Sequence, residues 1–81
     1  MINVFPNPTD GEFQIRLNLK EASRLNVRLF SASGQLVFED RKAEYKGIYT
    51  GKVSLKVHPT GIYFLAVDVN GAVTIQKILY N

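Results

Sequence analysis

A histidine beside a nucleophile, a pair of carboxylates, or oxygens spaced as metal ligands would each point to chemistry, and the chain offers one weak instance of each. His58 is the only histidine. Nucleophilic catalysis needs a base next to its nucleophile, and His58 adjoins Pro59 in a turn-like stretch with no acid–serine grouping near it. It reads as a solvated turn residue. Glu39 and Asp40 are adjacent but sit in a run of charges, and Asp68 stands alone in an apolar segment; such carboxylates are ordinarily solvated surface rather than an acid–base pair. Asn7, Thr9 and Asp10 place oxygens ahead of Gly11 as a calcium loop would, yet the alternating acid series and the closing glutamate are missing. A plain turn fits better. The absence of cysteine removes thiol catalysis, disulfides and thiolate metal sites, and no glycine-rich phosphate loop occurs. From these residues no catalytic, cofactor or metal site is expected.

The elements that hold these residues must fit within one domain, residues 1–81. A chain of 81 residues buries only about 60% of its unfolded surface. Apolar residues make up 46% and charged residues 21%, the balance of an ordinary globular chain. The longest apolar run, Ile62 to Val67, is far too short for a membrane span, and no charged, then apolar, leader opens the sequence. The net charge of +3 comes from scattered basic residues, among them Arg16, Arg24, Arg28, Lys52, Lys56 and Lys77. A nucleic-acid partner would call for a denser stripe, so none is expected.

The dominant period is two. FQIRLNL puts Phe13, Ile15, Leu17 and Leu19 on one face; RLNVRLF does the same with Leu25, Val27 and Leu29, and GKVSLKV with Val53, Leu55 and Val57. Polar residues fill the alternate positions, as in half-buried antiparallel strands. GIYFLAVDV is apolar on both faces until Asp68, which predicts a central strand covered twice. AVTIQKILY starts on the Val73 and Ile75 phase and ends on that of Ile78 and Tyr80, so either both faces pack or a bulge near Lys77 shifts the register.

Asn70-Gly71 is a two-residue hairpin signal, because both residues tolerate positive φ. Ser33-Gly34 serves the same purpose ahead of Leu36 to Phe38. EDRKAEYKG, Glu39 to Gly47, reads as an exposed, mobile loop. No segment keeps a helical apolar period. About seven short strands predict an all-β, small antiparallel Ig-like β-sandwich.

One stretch is more rigid than a loop requires. In VFPNPTDGEF, Pro6 and Pro8 fix φ and remove two donors, so Val4 and Phe5 can pair as a short edge strand before the chain leaves the sheet. Asp10-Gly11 then turns it into the first long strand.

The order of these features is more specific than any one of them. The PNPT-D-G opening, RLNVRLFSASGQLVFE, a charged stretch, and HPTGIYFLAVDVNGAVTIQKILYN together resemble the type A C-terminal sorting domain of cargo proteins of the Bacteroidota type IX secretion system, from Val4 to Tyr80. Pro6-Asn7-Pro8 is similar to the family's opening motif and Gly34 with Val37 to its Gly-x-x-Val element. Pro59-x-Gly61-x-Tyr63 is similar to its Pro-x-Gly-x-Tyr element, and Lys77-Ile78 to its terminal Lys-hydrophobic element. The family commonly carries leucine where His58 stands, and a basic residue near the end where this chain has Tyr80-Asn81.

The resemblance implies a role as an address rather than a catalyst. Such domains end larger secreted proteins, fold as Ig-like sandwiches in the periplasm, and are recognised by the translocon that carries the N-terminally fused cargo across the outer membrane. A cell-surface sortase is then expected to cut upstream, leaving the cargo secreted or on the cell surface. On that footing, the hairpin from Gly61 to Asn81 is the expected recognition surface, with Gly61, Tyr63, Lys77, Ile78 and Leu79 as candidate contacts. Pro6, Asn7, Pro8, Gly34, Val37 and Pro59 are expected to be architectural. Two other readings of a small β-sandwich stay open here. A carbohydrate-binding or adhesive module would need exposed aromatics, with Phe30, Phe38 and Phe64 facing solvent, and a self-associating domain would use an uncovered edge strand.

Overall fold

The structure, a computed structural model, describes residues 2–81 and is built from strands and turns alone. Five strands follow one another: β1 (Ile2–Phe5), β2 (Glu12–Ser31), β3 (Leu36–Ser54), β4 (Gly61–Val69) and β5 (Ala72–Tyr80). Every ladder is antiparallel. β3 lies along one side of β2 from end to end, while β1 and then β4 share the other side, and β5 continues outward from β4. Among the described residues no helix is long and apolar enough to cross a membrane.

The expected seven-stranded Ig-like sandwich is corrected to a curled five-stranded sheet. Seven apolar segments exist, but four of them are halves of two long strands that continue through a bend. The β2–β3 register slips between Leu19 and Ser23 and again before Leu25. Gly47, opposite Leu19, takes a φ of 101°. Bulges sharpen the local twist, so the hairpin folds over on itself here and its inward faces share one core. Phe13, Ile15, Leu17 and Leu19 from the first half of β2 meet Leu25, Val27 and Leu29 from the second, with Leu65, Val67 and Ile78 from the terminal hairpin.

The stretch Glu39 to Gly47, expected to be a mobile loop, is instead the middle of β3. Its charges suit an edge strand, because charged side chains blunt unpaired edges. Glu39 stands opposite Arg28, and Arg41 Nε donates to Glu39 Oε2 at 3.0 Å.

Three further phase assignments change. Val57, expected inside, is 91% exposed: β3 ends at Ser54, and the turn closed by the His58 amide on the Leu55 carbonyl swings Val57 outward. β4 is central, between β2 and β5, but its outward face is covered only at Ala66. Tyr63, Leu65 and Val67 are buried inward, whereas Ile62 and Phe64 on the outward phase are exposed. In β5 there is neither a bulge nor double packing. Its register with β4 runs unbroken from Ala72 to Tyr80, so Ile78 enters the core while Val73 and Ile75 are left outside.

Asn70-Gly71 behaves as read, whereas at Ser33-Gly34 only the glycine takes a positive φ and the loop between Ser31 and Gln35 has three residues. Asn70 and Gly71 both have positive φ between the paired Val69 and Ala72. The Ser31–Gln35 turn is closed by the Gly34 amide on the Ser31 carbonyl.

Candidate functional site

The residues singled out in the sequence gather in two places on the terminal hairpin. The first is the outer edge of β5. After β1 the chain passes through Pro6, Asn7 and Pro8 and comes to lie against that edge. The Asn7 side chain bridges the ladder direction: its Nδ2 donates to the Lys77 carbonyl at 2.9 Å, and its Oδ1 accepts the Leu79 amide at 3.0 Å. One side-chain amide thus replaces a paired backbone residue. Thr9 continues the pairing, giving its N–H to the Leu79 carbonyl and its carbonyl to the Asn81 N–H, as a parallel bridge to Tyr80. The two flanking prolines lack the N–H groups that would otherwise compete with Asn7 for partners.

Thr9 is itself buried, and its hydroxyl donates to the Glu12 carbonyl while accepting the Gly11 amide. The oxygens of Asn7 and Thr9, considered above as calcium ligands, are engaged in hydrogen bonds within the fold.

The second place is the end of the sheet where β4 begins. Val37, Pro59, Gly61 and Tyr63 line one open groove of about 310 Å³ together with His58 and Ser31. Tyr63 is buried and its hydroxyl donates to the Pro59 carbonyl at 2.5 Å, which pins the Leu55–Gly61 loop against the strand. A buried phenol needs such a partner. Gly61 opens β4 at a φ of 146°, a region that L side chains rarely adopt, with empty space where a Cβ would point. Backbone conformation, rather than crowding, calls for glycine here. Gly34 lies in the neighbouring turn, with a φ of 90° and open space around it.

On β5, Lys77 and Leu79 face outward and Ile78 inward. Lys77 is exposed opposite Phe64, Leu79 is exposed opposite Ile62, and Ile78 is fully buried. Of the five candidate contacts, Lys77 and Leu79 offer side chains to a partner, whereas Tyr63 and Ile78 act through the core and Gly61 through its backbone.

Two residues of consequence were not named as candidates in the sequence, Val73 and Ile75. Their place on the phase opposite to Ile78 was the available signal. His58 shares its groove with hydroxyls but has no carboxylate among the lining residues. Of the three phenylalanines that sugar binding would need in solvent, two share a face and the third does not. Phe30 and Phe64 are cross-strand neighbours on the outward face, but the Arg28 guanidinium lies 5.8 Å from the Phe30 ring centre, and Phe38 packs against the core.

A family model described as secretion system C-terminal sorting domain matches residues 3–81. No curated protein matches the chain.

Proposed function

The chain belongs to the C-terminal sorting domains of type IX secretion, and from that we propose that it is a non-catalytic address. In this reading it directs an N-terminally joined cargo through the translocon across the outer membrane and is then removed by a cell-surface sortase. The observation that carries the reading is the extent of the match, residues 3–81. The cargo is secreted or held at the cell surface, after passing the periplasm with this domain folded.

Recognition falls to the hairpin from Gly61 to Asn81, with Lys77 and Leu79 as direct contacts. Gly61, Tyr63 and Ile78 hold that hairpin in shape, as Pro6, Asn7, Pro8, Gly34, Val37 and Pro59 hold the surroundings. A lysine with its charge in water contributes little to stability, so it is free to serve a partner.

The test fuses residues 1–81 behind a flexible linker to a periplasm-exported reporter in a Bacteroidota host, with and without a working translocon. Native reporter is expected outside only when the translocon works. Lys77→Ala is expected to trap it while changing stability by less than about 0.5 kcal/mol, as ordinary surface substitutions do. Reporter retained in the periplasm with the native, folded domain would sink the reading.

A further inference from the structure

The edge of β5 is only half covered. Asn7 and Thr9 take up the Lys77 carbonyl, both outward groups of Leu79 and the Asn81 N–H. In an antiparallel ladder alternate residues turn both N–H and C=O to the same side, and the β4–β5 register is unbroken. Val73 and Ile75 therefore present their N–H and C=O groups on that same edge, and among the described residues no hydrogen bond outside the ladder reaches them. Their side chains are exposed as well, Ile75 by 60%.

Directly inside this open stretch lies a slot of about 360 Å³, between the first half of β5 and the β1–β2 ladder. Its lining is Ile2, Leu17, Asn18, Leu19, Val69 and Ala72, with Thr74 and Gln76 of β5. β1 also has a free edge, since it pairs with β2 alone. The curled sheet thus stops short of closing, and the gap has hydrogen-bonding groups along one lip and a floor that is mainly apolar, with Asn18 among its residues.

We propose that this seam takes one extended, apolar segment of the secretion machinery, which adds to Val73 and Ile75 as a sixth strand and seats its inward side chains in the slot. The proposal rests on the sorting reading above and names the chemistry of the partner. Backbone pairing supplies affinity in strand addition, and pockets for alternate side chains supply selectivity. Both faces of the incoming strand must be apolar: the inward face meets Leu17, Leu19 and Val69, and the outward face lies beside Val73 and Ile75. No charged side chain belongs to β5 between Ala72 and Gln76, so the segment itself should be uncharged there.

The probe is a short synthetic peptide of valine and isoleucine, closed by charged residues for solubility, added to the 81-residue chain. Amide exchange of Val73 and Ile75 is expected to slow by about tenfold or more in its presence. Ile75→Pro removes only an outward N–H, a place where strands tolerate proline, and should abolish the slowing. Thr74→Trp, which fills the slot without touching the backbone groups, should abolish it too. No slowing with the peptide overturns the proposal. So does slowing that grows with protein concentration in the peptide's absence, since that assigns the edge to a second copy.

In the export assay, Ile75→Pro and Thr74→Trp reporters are expected to stay in the periplasm with the domain folded. Normal export of both overturns the seam and leaves the sorting reading standing. Failure of the native reporter, with the peptide still protecting the edge, removes the sorting reading instead.

Discussion

Asn7 is the residue that ties the opening segment to the end of the chain. Its two bonds to the Lys77 carbonyl and the Leu79 amide are exposed, and hydrogen bonds of this kind are worth about 0.5–1.5 kcal/mol each. Asn7→Ala is expected to lower stability by about 1–2 kcal/mol and to speed amide exchange at Leu79 ahead of global unfolding; unchanged exchange there would contradict the assignment. Tyr49 makes a second prediction at this scale. Burial first, then its 2.6 Å hydrogen bond to the Asp40 carboxylate, pushes its phenol well above the ordinary tyrosine value. A folded-state pKa raised above the unfolded one favours the protonated form, so its stabilisation is complete below about pH 10 and is lost as pH rises toward the folded value. Denaturant midpoints should fall above about pH 10, and Tyr49→Phe should weaken that fall while costing about 1 kcal/mol at neutral pH.

At the scale of elements, the long bent hairpin decides the fold, and it was only partly legible. The phases of FQIRLNL and RLNVRLF were readable because alternate burial leaves a period of two, and Asn70-Gly71 because it needs positive φ. The continuity of β3 was hidden. An edge strand that sets Asp40 and Lys42 opposite the core residues Val27 and Leu25 has little apolar face to display, so its charges look like those of a loop. The terminal groove was legible only as a motif, since the Tyr63 bond to the Pro59 carbonyl depends on the loop's path rather than on residue type. Gly51 shows how tightly the bend is packed: a Cβ there would lie 2.7 Å from the Tyr49 hydroxyl oxygen. Gly51→Ala should therefore displace Tyr49 from Asp40 and cost about 1–3 kcal/mol. In a Tyr49→Phe background the cost should shrink, a coupling that a double-mutant cycle on thermal stability measures.

For the whole molecule, the terminal strand is structural and exposed at once. Deleting Lys77–Asn81 removes Ile78 from the core together with the partners of Asn7 and Thr9, and loss of a buried aliphatic side chain alone costs about 2–5 kcal/mol. The truncated chain is expected to melt far below the native one in circular dichroism, so its failure to be exported would report unfolding, whereas Lys77→Ala separates the two effects. A native-like melt after truncation would contradict the packing described. The parallel bridge between Thr9 and the last residues has a mechanical meaning. Tension on the chain ahead of Ile2 passes into the β1–β2 ladder and then, through Asn7 and Thr9, straight into Leu79 and Asn81. The entry segment is a strap buckled to the tail, and a pull on whatever the domain carries reaches its far end through a handful of hydrogen bonds.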